Sequence, residues 1–268
     1  MKIKSFILRG PAGTGKTSLA EYVAGAWGAE PLYYLCHAWT TAEELVQSVD
    51  VGRVALKDPH PYKDGVLLKA VKASRSKKVV LIIDELDKAR EFIDVLFLDF
   101  LQNGRVQDEE GRTWTANAEN LVVFFTTNEF RELADPLLRR SAKFHIDYLP
   151  VDVEAGLIMG GSYYLDGKRE FVIRAATQGS VAVVPNMELQ KALARLAQKF
   201  RSNELDLSLS ELQALYRDLH LCKDAKEMEY AIEAWLERTP DHAEFITDKF
   251  RGRASLAGNL WTLMKQGS

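Results

Sequence analysis

Apolar runs recur along the first half of the chain, and each closes on small or polar residues. Ile3 to Leu8 ends at Arg9-Gly10-Pro11, the pattern of a buried strand entering a loop. Thr17 to Trp27 sets Leu19, Tyr22, Val23 and Ala26 at helical spacing and stops near Gly28. Pro31 to Leu35 reads as a second strand. Thr40-Thr41-Ala42-Glu43 reads as a capping box with Thr40 as cap, opening a helix through Leu45, Val46 and Val49. Val79 to Ile83 is continuous and β-branched, as a central parallel strand should be. Phe92 to Leu101 is an amphipathic helix, Leu121 to Phe125 another central strand, and Phe144 to Tyr148 a fifth strand. Strands separated by helices predict an α/β fold with a parallel sheet covered on both faces.

The pattern changes after Pro150. Ser162 to Val184 shows no dominant period, only a Tyr163-Tyr164 pair, an Asp166-Gly167 turn signal and a Val181 to Val184 run. From Met187 the period is helical: Leu189, Leu193, Leu196, Ala197 and Phe200 share one face. Leu209, Leu212, Leu215, Tyr216 and Leu219 make a second helix, and Met228 to Leu236 a third. The expectation is an α/β domain over residues 1–150 and a mainly helical domain over 151–268, with a candidate insertion at 162–184.

Composition narrows the class. The 268 residues are 47% hydrophobic and 27% charged, ordinary values for a globular protein. A net charge of -3 supplies no basic field, so charge does not favour a nucleic-acid partner. Two cysteines, Cys36 and Cys222, are too few for a disulfide scaffold or a four-thiolate zinc site and suit a reducing compartment. The N-terminus is too short and too charged for a signal peptide, and no uncharged apolar run is long enough to cross a bilayer. These readings place the chain in the cytoplasm, with no membrane partner. The five histidines show no metal-ligand spacing, and no Gly-x-Ser-x-Gly elbow occurs.

The strongest chemical signal is Gly10-Pro11-Ala12-Gly13-Thr14-Gly15-Lys16-Thr17, followed by Ser18. It matches the phosphate-loop pattern in full, after a strand and opening a helix. Glycines permit a tight loop whose N–H groups converge on an anion, and the helix N-terminus adds its positive end. Lys16 would reach the β- and γ-phosphates of a nucleotide, and Thr17 would ligate Mg²⁺. Val80 to Ile83 ends in Asp84 and Glu85, positioned for Mg²⁺ and for the attacking water respectively. The alternative is a pair of solvated loop acids. Leu121 to Thr127 ends in Asn128, either a water-orienting group or a strand-end turn residue. Asp135-Pro136-Leu137-Leu138-Arg139-Arg140 carries paired arginines, suited to transition-state charge or simply to a helix end.

The order of phosphate loop, Asp84-Glu85, Asn128 and Arg139-Arg140 resembles the AAA+ ATPases, and most closely their MoxR and dynein/midasin-related branch. Three segments carry the finer likeness. Gly65-Val66-Leu67-Leu68-Lys69-Ala70 is similar to that branch's Gly-Pro-Leu segment, with Val66 in place of proline. Asp84-Glu85-Leu86-Asp87-Lys88-Ala89 is similar to its acidic signature. Leu101 to Val106 with Gly111 to Trp114 is similar to its hairpin, and Asp50 to Tyr62 falls where the branch carries an insert. The resemblance implies a P-loop core with a helical lid, binding ATP and Mg²⁺ and hydrolysing ATP. Catalytic roles then fall to Glu85, to Asn128 as first sensor, and to Arg140 or Arg139 as the finger serving a neighbouring subunit. It further implies a homo-oligomeric ring, hexameric, that remodels a separate partner protein. Two alternatives stand beside it: an assembly switch with little turnover, and the ATPase subunit of a nucleic-acid-processing or defence complex. No guanine-selecting motif follows the sensor strand. The lid departs from the family, since Leu207-Ser208-Leu209-Ser210-Glu211 holds no second sensor arginine. In the hairpin, Trp114 either faces outward to grip a partner or packs on the sheet.

Overall fold

Five parallel strands organise the first half of the chain. β1 (Lys4–Arg9), β2 (Glu30–Leu35), β5 (Val79–Asp84), β8 (Leu121–Thr127) and β9 (Ala142–His145) pair in the order β2-β5-β8-β1-β9. This computed structural model describes residues 3–158, 163–165, 169–171 and 186–266. The chain divides into two compact units, Met1–Pro11 with Gly15–Asp147, and Ala12–Thr14 with Tyr148–Ser268.

Every residue of β5 is buried, which explains its unbroken apolar run. Its side chains alternate between two cores. Val79, Leu81 and Ile83 join Leu67 and Leu68 of α4 (Val66–Ser74) and Ile93 and Phe97 of α5 (Phe92–Asn103). Val80 and Ile82 join Ala20 and Ala24 of α1 (Lys16–Trp27), with Leu8 and Phe124. Each fully buried aliphatic side chain is worth about 1.5–3 kcal/mol, so a one-residue slip, which exchanges the two sets, is strongly disfavoured. That register carries the exits of β1, β5 and β8 to one rim of the sheet.

Several boundaries differ from the sequence expectation. The capping box lies one residue later. Thr41 caps the short α2 (Ala42–Leu45) with Glu44 as its partner. Thr40 is instead buried, accepting from the His37 N–H at 2.9 Å. The helix stops before Val49, because Gln47–Val49 forms β3 and pairs antiparallel with β4 (Tyr62–Asp64). Between them stands α3 (Val51–Ala55), capped by Asp50. The fifth strand begins two residues before Phe144, drawn into register by β1 with Phe6 opposite Ala142.

β6 (Arg105–Gln107) and β7 (Thr113–Thr115) form the expected hairpin, with Val106 opposite Trp114. Trp114 packs against the core rather than projecting. Its indole N–H donates to Asp108 at 2.9 Å, and the Lys72 ammonium lies 4.5 Å from the ring centroid. The same Asp108 accepts from the Glu110 and Arg112 backbone, which closes the turn.

In the second unit, α7 (Val151–Ile158), α8 (Met187–Arg201), α9 (Leu209–Leu221) and α10 (Ala225–Leu236) share one core. The helical periods predict the last three. Two further helices that the sequence reading did not delimit, α11 (Pro240–Phe250) and α12 (Arg253–Gln266), join that core. Of the expected insertion, only β10 (Tyr163–Leu165) and β11 (Arg169–Phe171), an antiparallel pair, are described. The Val181 to Val184 run lies outside the described residues.

One ion pair ties the sheet rim to its helices. Asp94 of α5, with no exposed side-chain surface, accepts both terminal nitrogens of Arg131 at 2.7 and 2.9 Å. It also accepts the Ala134 N–H at 2.8 Å, at the start of α6 (Asp135–Arg140). Arg131 further donates to the carbonyls of Leu86 and Ala89. Replacing Asp94 with alanine strands a largely buried guanidinium. Urea unfolding of Asp94→Ala should show a loss of about 3–5 kcal/mol.

Candidate nucleotide site

The phosphate loop leaves β1 where the sheet ends. Gly10 adopts φ 140°, and a Cβ there would sit 2.1 Å from the Ile146 carbonyl oxygen. Only glycine fits a chain that must turn this close to its neighbour. Gly15, at φ 85°, is the N-cap of α1 and offers no side-chain acceptor, and the first turn holds no acid. The leading N–H groups of α1 therefore stay available to an anion.

Lys16 is 6% exposed and folds back across the loop, donating to the Gly10 and Pro11 carbonyls at 2.8 and 2.6 Å. Burial pulls its pKa below the usual lysine value, while Asp84, Asp87, Glu85 and Glu129 act in the opposite direction. A phosphate at the loop would add the negative charge that a buried ammonium needs. Pro11 is half-buried and Thr14 buried, whereas Ala12, Gly13 and Ser18 are exposed.

Thr17 is half-buried and donates to Asp84 Oδ1 at 2.8 Å. Asp84 also receives the hydroxyl of Thr126 on Oδ1 and that of Tyr33 on Oδ2, the latter at 2.8 Å. A hydroxyl beside a carboxylate is a hard oxygen set, which fits Mg²⁺. Glu85 follows with φ 52°, a left-handed backbone fixed by its N–H donating to Thr126 Oγ1 at 2.8 Å. Its carboxylate accepts from the Asn128 amide at 3.0 Å and pairs with Lys88 at 2.6 Å. The structure thus brings Lys16, Thr17, Asp84, Glu85 and Asn128 to the exits of three adjacent strands.

The sequence profile of the AAA domain (dynein-related subfamily) matches residues 5–141, just over half of the chain. The chain belongs to this family.

Among individual proteins, it is similar to the chaperone protein ClpB4, mitochondrial, of Arabidopsis thaliana, at 34% identity over 130 residues, covering 47% of this chain and 13% of that protein. It is also similar to chaperone protein ClpB 1 of Thermosynechococcus vestitus, at 27% identity over 222 residues, covering 78% and 23% respectively. A third is chaperone protein ClpB of Meiothermus ruber, at 26% over 229 residues, covering 80% and 24%. The chain spans no more than about a quarter of the length of these relatives.

In this AAA chain the paired arginines stand apart from the loop. Arg139 and Arg140 are exposed at the end of α6; Arg139 lies 3.6 Å from Asp135, and Arg140 donates to Pro136 O and Gln102 Oε1, both at 3.1 Å. The Arg140 carbonyl accepts from Ser5, near the start of β1, while the loop follows the strand's other end. Five residues at ~3.3 Å each separate these ends by roughly 16 Å. Neither arginine is set to meet a phosphate on its own chain's loop.

The sequence reading assigned no site role to Tyr33 and Thr126, quoted only as strand residues, or to Asp87 and Lys88, quoted only within the acidic signature. Tyr33 shares Asp84's side of the sheet only because β2 pairs with β5, Leu35 falling opposite Asp84. A linear motif does not report which strands are neighbours. In the helical unit, Arg238 pairs with Glu211 at 2.5 Å, so a cation stands at the head of α9 although Leu207 to Glu211 contains none.

Gly10→Ala tests the loop geometry. Titration with a fluorescent ATP analogue should show at least a tenfold loss of affinity, because the Cβ displaces the loop from Ile146.

Proposed function

We propose that this AAA chain is a MoxR-like ATPase module that assembles into a ring, binds ATP with Mg²⁺, hydrolyses it, and remodels a partner protein. The single observation that carries this reading is the convergence of Lys16, Thr17, Asp84, Glu85 and Asn128 at one rim of the sheet. In this reading the α/β unit, near residues 1–150, is the nucleotide-binding core, and the helical unit, near 151–268, is its lid.

Lys16 holds the β- and γ-phosphates, exchanging its carbonyl contacts for phosphate oxygens. Thr17 and Asp84 hold Mg²⁺, which when bound neutralises the charge that builds on the phosphates. Glu85 takes a proton from the attacking water, and Asn128 orients that carboxylate. The water oxygen bonds to the γ-phosphorus and the bond to the bridging oxygen breaks, giving ADP and phosphate. Arg140, with Arg139 as the alternative, stabilises the transition-state charge on a neighbouring subunit's nucleotide. Their position at the far end of β1 supports service in trans.

Ring assembly, a hexamer as the family resemblance implies, and a protein substrate are supported by the dynein-related family and by the ClpB chaperone relatives. No helix among the described residues is long and apolar enough to cross a membrane. That and two free cysteines support action in the cytoplasm. A nucleotide-dependent assembly switch is the second reading, favoured by the absence of an arginine in the Leu207 to Glu211 turn.

Steady-state phosphate release separates the two. Glu85→Gln should lower kcat at least a hundredfold with ATP still bound, and Arg140→Ala should abolish turnover while leaving binding intact. Turnover of Glu85→Gln equal to the unmodified chain would establish the switch, and full activity in both arginine variants would remove the trans role.

A further inference from the structure

Asp87 has a position that the proposed chemistry leaves unused. It lies in the single-turn 3-10 helix Leu86–Lys88, directly after Glu85, and is 3% exposed. Its Oδ2 accepts two backbone donors from the exit of β8, Asn128 N–H at 3.0 Å and Phe130 N–H at 2.8 Å. Its Oδ1 is buried with no hydrogen-bond partner. An uncharged turn would close the same backbone without burying a half-satisfied carboxylate, an arrangement that costs free energy. The residue must therefore secure something that the turn alone does not.

The secured element is the Asn128 to Phe130 turn. Phe130 is 86% exposed and gives the turn no apolar anchor, and Glu129 adopts φ 63°. Besides Asp87, the turn is held by Thr127 Oγ1, which accepts from Glu129 N–H at 2.9 Å, and by the half-exposed pair of Arg9 with Glu129. Surface pairs of that kind contribute little. Asn128's own backbone N–H is held by the Asp87 carboxylate. Asn128 in turn holds Glu85 through its side chain at 3.0 Å. One carboxylate thus clamps the exits of β5 and β8, and the Glu85–Asn128 contact spans the clamp.

We propose that Asp87 is a positioning residue, which accepts the Asn128 and Phe130 N–H groups and thereby sets the Asn128 amide on the Glu85 carboxylate. This rests on the reading of Glu85 as the water-activating group. Asp87 acts through Asn128.

The test uses the full chain, with ATP hydrolysis measured at steady state and binding measured with a fluorescent ATP analogue. Asp87→Ala should lower kcat at least tenfold, with KM and analogue affinity within about threefold, since Lys16 keeps its hydrogen bonds to the loop carbonyls. Asp87→Asn keeps an oxygen able to accept both N–H groups and should recover most of the lost turnover. In an Asn128→Ala background, Asp87→Ala should lower kcat by less than twofold further, because both act on one contact. Should Asp87→Ala fail to fold, Asp87→Ser, whose hydroxyl is too short to reach both donors, takes its place in the same cycle. A kcat within threefold of the unmodified chain overturns the proposal. So do an Asp87→Asn chain as inactive as Asp87→Ala, and an additive loss in the Asn128→Ala background. An unmodified chain that binds the analogue without turnover overturns the reading of Glu85, and with it this role. Normal turnover with an indifferent Asp87 overturns only the positioning role.

Discussion

A guanidinium taken largely out of water is tolerated when its donors find acceptors, and Arg131 meets that condition through a residue on another element. Asp94 receives it in two parallel bonds, and the carbonyls of Leu86, Ala89 and Glu132 take further donors. The geometry joins four places that the chain visits separately: the turn after β5, the first turn of α5, the loop after β8 and the head of α6. Carboxylates that face a ligand repel one another, and a rim bearing Asp84, Glu85 and Asp87 within four residues of chain needs such a cross-brace. The pair also fixes where α6 begins, through the Ala134 N–H.

Hydroxyls and amides settle the acids themselves, with one ion pair from Lys88 to Glu85. Asp84 receives three hydroxyl donors, and Thr126 both donates to it and accepts from the Glu85 N–H. One threonine thus holds the Asp84 carboxylate and the backbone of the acid that follows it. Lys16 spends its donors on loop carbonyls. The site holds Asp84 by hydroxyl hydrogen bonds and keeps Lys16 in reserve for an anion, which is the charge arrangement expected of a phosphate site.

Much of this was legible from the sequence, for definite reasons. The phosphate loop and the acids after β5 are local patterns, readable because their mechanism constrains consecutive residues. The central strands were legible because burial on both faces leaves no polar position to blur them. The roles of Tyr33, Thr126 and Asp87 were not, since each matters through strand adjacency or through a partner more than forty residues away. The Thr41 box was misplaced by one residue because two threonines precede the helix, and only the bond to Glu44 distinguishes them. The edge strand β9 was shifted because its residues are exposed and carry no burial signal. Trp114 had two open readings, and the buried Asp108 decided between them.

The separation of Arg140 from the phosphate loop along β1 has a consequence for counting. On the proposed reading each chain carries half of one site at one end and half of another at the opposite end. Contact between chains is then head-to-tail. An open row of n chains completes n - 1 sites, and only closure completes all n. Activity would therefore rise more steeply than protein concentration and level off once rings dominate. A chain lacking its arginines would silence its neighbour's site while its own remained whole.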